Sequence, residues 1–217
     1  MILITNIPAS YRSAFEAKVI SIANKLKVSP DWLMMKMYME SRFNPAAHNT
    51  NGDASGLIQF MPSTLTYLGW NYGGWMFRKQ SAITQLDWVY KYYKRYTGKL
   101  QSFTELAIVT FFPIALGKPD SFILQANNLS ASAVANANKA LDLNNDGQIT
   151  LGEYKMSLRK RVATQYLTLL FPVNTATTSS STLKHNRTTL KYTIAALAGV
   201  GIGAFLDNII KFFKNPK

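Results

Sequence analysis

Two neighbouring stretches decide how this chain is read: residues 30–47, PDWLMMKMYMESRFNPAA, and residues 52–64, GDASGLIQFMPST. The first opens on Ser29-Pro30-Asp31. That is a helix start: a hydroxyl cap, a proline where no N–H is needed, and an acid at the positive dipole end. WLMMKMYM (32–39) is apolar almost all round, which predicts a buried helix. Asn44-Pro45 ends it, because the residue before a proline is pushed out of the helical region. Glu40 therefore stands at the C-terminal end of a buried helix. Burial and the negative dipole end both disfavour its charged form, and Arg42 opposes them if it points inward. A carboxyl kept protonated near neutral pH is what a general acid needs to break a glycosidic bond. A solvated glutamate at a helix end is the plainer reading of the same position.

The two stretches together carry a pattern. Glu40-Ser41 is followed by Asn44-Pro45 and Ala47, then by Gly56-Leu57-Ile58-Gln59 and Met61-Pro62. This resembles the catalytic region of lytic transglycosylases of the soluble Slt type, relatives of goose-type lysozyme. The resemblance is clear over residues 30–70 and extends by helix order to about 10–125. It implies an all-α, lysozyme-like domain in which Glu40 is the single catalytic acid/base. Ser41 would orient the acid or the substrate's acetamido group, and Gly56, Leu57, Ile58, Gln59 and Met61 would contact the sugar. The implied reaction cleaves the bond between N-acetylmuramic acid and N-acetylglucosamine. Glu40 protonates the bridging oxygen, then takes the proton of the muramic 6-hydroxyl as a 1,6-anhydro ring closes. One departure stands out. Where the family carries Tyr-Asn on a later helix, this chain reads Leu106–Gly117, LAIVTFFPIALG, leaving Phe111 or Phe112 for the ring position.

A hydrolytic muramidase on the same fold would need a second acid to activate water. Asp53 is the best placed by sequence, although Asn51-Gly52-Asp53 reads more simply as a turn. A catalytically retired structural protein is the remaining alternative, motivated by the absent Tyr-Asn pair. Of the aromatic residues, those in the glycine-flanked 67–75 loop are candidates to stack on sugars, and Trp88, Tyr92 and Tyr93 read as core.

Asp142–Glu153, DLNNDGQITLGE, fits the twelve-residue EF-hand loop. Oxygen-bearing side chains fall at positions 1, 3 and 5 (Asp142, Asn144, Asp146), Gly147 at 6, the Gln148 carbonyl at 7 and Glu153 at 12. Thr150 at position 9 would act directly or through water. Helices are expected on both sides, over 132–141 and 154–170. A structural Ca²⁺ is the expected cofactor; the motif has no second copy.

Working outward, Tyr11, Phe15, Val19, Ile22 and Leu26 form a helical stripe with Ser10 as its expected cap. Ser102-Phe-Thr-Glu105 reads as a capping box, with Pro113 ending the helix it opens. A short hairpin is expected near 48–55. The domain is expected to span 1–172, followed by a Thr/Ser-rich linker (173–188) and a C-terminal apolar helix with a basic tail (189–217).

Within that tail, Tyr192–Leu206 is an uncharged run of fifteen residues. As a helix it rises about 22 Å, and continuation to Phe213 would span a bilayer. An amphipathic or buried terminal helix is the alternative. Ala195, Gly199 and Gly203 lie four apart, a stripe through which two such helices could self-associate.

The formal charge of +13 divides into +8 over 1–172 and +5 over 173–217. It calls for an anionic partner, and no nucleic-acid motif accompanies it. The absence of cysteine excludes disulfides and thiolate chemistry. MILITNIPAS lacks a basic n-region, so no secretory signal is read there. A wall-cutting enzyme without one is expected to be delivered by a phage particle, virion-associated or in the host envelope.

Overall fold

The computed structural model describes residues 1–172 apart from Asn51. The expected linker and C-terminal apolar segment, with Ala195, Gly199 and Gly203, lie outside the described residues. Among the described residues no helix is long and apolar enough to cross a membrane.

The chain is mostly helical. Helix α1 (Arg12–Leu26) buries the expected stripe Phe15, Val19, Ile22 and Leu26. Tyr11, not Ser10, occupies its N-cap, and no side chain caps it. Instead the Arg12 guanidinium bonds the carbonyls of Ile7 and Thr5, fixing the entry of the chain. Helix α2 (Pro30–Ser41) starts as read, with Ser29 accepting the Asp31 N–H. It buries Leu33, Met34, Met35, Lys36 and Met37, and packs on α1 and α6.

A two-residue hairpin follows, β1 (His48–Asn49) antiparallel to β2 (Ala54–Ser55). Short helices α3 (Pro62–Tyr67) and α4 (Gly73–Phe77) lead to α5 (Ala82–Tyr93), which lies against α1. Helix α6 (Phe103–Phe111) is apolar apart from Thr104, Glu105 and Thr110, and a 3-10 turn from Pro113 follows it. Its expected capping box is half made. Ser102 accepts the Glu105 N–H, but the Glu105 carboxylate takes the Gln101 N–H instead of that of Ser102.

The EF-hand-like loop lies between a short pair, α7 (Ala131–Ala137) with a 3-10 turn at Lys139–Leu141, and α8 (Leu151–Arg161). The second flanking helix differs from expectation. It begins three residues earlier and stops at Val162, and a separate turn of helix, α9 (Leu167–Leu170), follows. The break lets Val162 and Leu170 be buried and sets the Phe171 ring edge-on to Phe103.

Candidate active site

Glu40 is carried on the last turn of α2. The chain reverses directly after it through two successive left-handed residues, Arg42 (φ 51°) and Phe43 (φ 63°). Such backbone costs of order 1–3 kcal/mol per residue. Burial of Phe43 against Phe15, rings edge to face at 6.1 Å, opposes that cost. Arg42 does not point inward: its guanidinium lies over the Tyr38 ring and bonds the Tyr38 hydroxyl.

The cation that meets Glu40 is Lys36, one turn earlier on the same helix. Its ammonium lies 2.5 Å from Glu40 Oε1, and its side chain is 8 % exposed against 26 % for Glu40. Sequence reading passed Lys36 over. The available signal was the one charge inside an apolar helix, at the i, i+4 spacing that pairs Lys with Glu.

Glu40 opens into a cavity of about 40 Å³ lined by Lys36 and Met39 of α2, Phe111 of α6, Asn138 and Leu141, and Tyr154, Leu158 and Arg161 of α8. Small-molecule pockets are typically several hundred Å³, so a sugar chain would lie across its mouth. Among the described residues Glu40 is the only carboxylate lining it. Of the two phenylalanines expected near the site, Phe111 lines the cavity and Phe112 is not among its lining residues. The Phe111 ring stacks on Tyr154 at 5.2 Å with planes 10° apart. Burial pushes the Tyr154 phenol well above its ordinary value; Arg161 opposes this and the Glu40 carboxylate adds to it. Tyr93, behind the site on α5, is raised by burial first, then by Tyr92 and Glu40.

The Gly56–Gln59 turn forms beside the end of α2. The Ser41 hydroxyl lies 2.9 Å from the Leu57 carbonyl and 3.1 Å from that of Met37, so it ties α2 to the turn and does not bond Glu40. Gly56, Leu57 and Ile58 are buried, and the Leu57 N–H and carbonyl are taken by Gln85 and Ser41, so of this turn only Gln59 is partly exposed. Gln59 is left-handed (φ 53°), and its Nε2 donates to the Gly56 carbonyl at 3.0 Å. Met61 is half-buried at the cap of α3.

Gln85 of α5, which sequence reading also missed, organises this turn. It is fully buried; its Oε1 accepts the Leu57 N–H at 2.9 Å and its Nε2 reaches the carbonyls of Pro45 and Phe77. Asp53 sits apart in the hairpin (φ 54°), where its carboxylate meets His48 at 2.7 Å and Arg78 at 3.5 Å. It is a turn residue and does not line the Glu40 cavity. In the 67–75 loop, Tyr72 and Trp75 are exposed, and Tyr67 is at the margin of exposure. Trp70 instead packs edge-on against Trp88 and Phe77.

The Asp142–Glu153 loop is held by its own donors. Asp142 accepts the N–H groups of Asp146 and Gly147, Asn144 Oδ1 that of Asp146, and Asp146 that of Gln148. Glu153 and Thr150 form a complete capping box that opens α8. Burial works to raise the Glu153 carboxyl. The bonds it accepts from Thr150, Leu143 and Asn144 outweigh burial and hold it below the usual carboxylate range. Ile149 is fully buried, and its carbonyl accepts the Leu124 N–H while the Phe122 carbonyl accepts the Leu151 N–H. The loop's edge is thus taken by residues 122–124, which leaves no edge for a second loop.

Among the described residues no three acidic or histidine side chains converge as a formed metal cluster. The donor set itself is all oxygen, which suits a hard cation such as calcium.

Residues 18–100 match the family model described as the transglycosylase SLT domain. The match spans less than half of the chain. No curated protein and no solved structure matches it. The family match supports a lytic transglycosylase of lysozyme-like type, an enzyme that cleaves glycosidic bonds of peptidoglycan, and the mostly helical fold agrees with it.

Proposed function

We propose that the chain cleaves the β-1,4 bond between N-acetylmuramic acid and N-acetylglucosamine by the transglycosylase route, with Glu40 as its one acid/base. The observation that carries this reading is a cavity in which, among the described residues, Glu40 is the only carboxylate. Glu40 gives its proton to the bridging oxygen as the glycosidic bond breaks. The substrate's N-acetyl group stabilises the cation. Glu40 then takes the proton of the muramic 6-hydroxyl, whose oxygen closes the anhydro ring, and no water is consumed. Lys36 stands where it stabilises the carboxylate left between the two transfers. Ser41 holds the Gly56–Gln59 turn, from which Gln59, with Met61, borders the glycan.

The test is mass spectrometry of the fragments released from purified sacculi. Anhydro-muramic ends are expected from the wild type and no release from Glu40→Gln. Reducing ends that carry oxygen from water would replace this reading with a muramidase. Failure of folded wild type to release anything would favour a structural protein on the same scaffold.

Two further parts of the proposal rest on sequence pattern. One calcium ion would occupy the Asp142–Glu153 loop through Asp142, Asn144, Asp146, the Gln148 carbonyl and Glu153, where it would pin the loop to α8. The segment 189–217 would tether the enzyme to a membrane, with phage carriage as its route to the wall. Flotation of the full chain with phosphatidylglycerol-containing vesicles, resistant to high salt, is expected; release by salt alone would reject insertion.

A further inference from the structure

We propose that the face built by α5 and the 67–75 loop is a non-catalytic docking surface for peptidoglycan, holding a strand other than the one being cut. The proposal rests on the family match for its partner and on the reading of Glu40 as the cutting residue. The charge of the domain is gathered here. Residues 61–100 carry Arg78, Lys79, Lys91, Lys94, Arg95 and Lys99 against Asp87 alone, a net +5 of the +8 over 1–172. Asp87 is the only acid between Asp53 and Glu105, and it is paired with Lys18 of α1 at 2.7 Å.

The surface is continuous. On α5 and the 3-10 turn that prolongs it, Trp88, Lys91 and Arg95 form one stripe. The 67–75 loop lies along that stripe. Trp70 packs edge-on to Trp88 at 5.5 Å and to Tyr72 at 5.4 Å, and its Nε1 donates to the Gly73 carbonyl at 2.9 Å. Three cations lie over three rings: Lys79 over Trp75 at 4.7 Å, Lys91 over Trp88 at 4.8 Å and Arg95 over Tyr67 at 4.8 Å. None of these cations is in an ion pair among the described residues. Tyr72 is 68 % exposed and Trp75 58 %, so packing within the domain does not account for them.

This face looks away from the catalytic cavity. Tyr93 of α5 is fully buried; burial, then Tyr92, then the Glu40 charge raise its phenol, so the Tyr93 side of the helix is the one turned to Glu40. Trp88, Lys91 and Arg95 lie roughly 140–200° around the helix from Tyr93. None of them lines the Glu40 cavity. Peptidoglycan has the chemistry such a face takes: sugar rings to lie on the aromatic side chains, and stem-peptide carboxylates to meet the cation beside each ring. An anionic lipid surface would meet the cations as well; the family match, which brings peptidoglycan to this domain, favours the wall. Two contacts on one insoluble network raise the effective concentration of strand at each, which keeps the enzyme on the wall between cuts.

The test reads binding apart from cutting. Full-chain Glu40→Gln is sedimented with purified, lipid-free sacculi, alone and with either Lys79→Glu/Lys91→Glu or Tyr72→Ala/Trp75→Ala added. Each pair is expected to weaken binding by about tenfold or more, and salt to weaken binding of the parent. In the active chain, Lys79→Glu/Lys91→Glu is expected to slow release from sacculi by a similar factor while kcat/KM on short soluble fragments stays within about twofold. Undiminished sedimentation of either pair overturns the proposal. So does an equal loss on soluble fragments, which would assign the change to the catalytic groove or to the fold. Unchanged wall binding with weaker flotation on phosphatidylglycerol vesicles overturns it too, and gives the face to a membrane. An inactive wild type, or a fully active Glu40→Gln, removes only the acid/base reading, since sedimentation needs no cutting.

Discussion

At the scale of single residues, Gly56 and Gln85 show how the site is held. Gly56 has φ +78°, and a Cβ placed there would lie 2.3 Å from Gln85 Oε1 and 2.8 Å from the Phe77 ring. The left-handed backbone excludes a side chain and the buried amide leaves no room for one. Gly56→Ala would push Gln85 off the Leu57 N–H, leaving a buried donor unmet. A destabilisation of about 2–4 kcal/mol is expected from strain and the lost bond together. For a chain of this size that lowers the melting temperature by roughly 5–15 °C. A thermal melt checks it, and a variant melting beside wild type would show that Gln85 does not hold the turn. The glycine was legible in the sequence as part of a motif. Gln85 was not, because an amide inside an amphipathic helix looks like any other polar helix residue until its burial is known. Lys36 escaped for the same reason: its side chain runs along an apolar helix, and its partner is visible only once Glu40 is placed.

At the scale of elements, starts that depend on local chemistry were legible and stops that depend on packing were not. Ser29-Pro30 opens α2 as read, through a side chain that bonds a nearby free N–H, a short-range effect; the Thr150 capping box that opens α8 is equally local, but there the loop pattern leads the reading and places the start three residues late. The hairpin at 48–55 also followed from turn residues. By contrast, nothing in residues 154–170 signals a helix break, with neither proline nor glycine present. The chain breaks at Val162 because burying Val162 and Leu170 and packing the half-buried Phe171 on Phe103 outweighs continuing a helix. The candidate site divides the same way. Glu40, Ser41 and the Gly56–Gln59 turn came from a contiguous pattern. The α8 wall is more than a hundred residues further on and depends on tertiary contact alone, so Phe111 was anticipated and Tyr154 was not.

At the scale of the whole molecule, the loop at 142–153 joins stability to the site. Asn138 and Leu141 stand just before it and Tyr154 just after it, and all three line the Glu40 cavity. Whatever fixes the loop therefore fixes that wall. Glu153 makes this measurable. Its folded-state carboxyl lies below the ordinary range, so the unfolded chain binds its proton more tightly. The stability it contributes is present in full above the unfolded value, about 4.3, and is lost as pH falls through the lower folded value. Calcium, if bound, adds stability at neutral pH and is displaced by the same protons, because its ligands must be deprotonated. Melting temperatures of wild type are thus expected to fall between about pH 5 and 3 and, near pH 7, to rise with calcium over chelator. Glu153→Gln should melt lower at neutral pH, show a shallower acid slope and lose the calcium increment. Parallel acid slopes in the two proteins would mean that Glu153 does not couple folding to pH. Equal melting temperatures of wild type in calcium and in chelator would leave the loop as a hydrogen-bonded turn that needs no ion. The α8 wall would then be held by the Thr150–Glu153 capping box and the Phe111–Tyr154 stack alone.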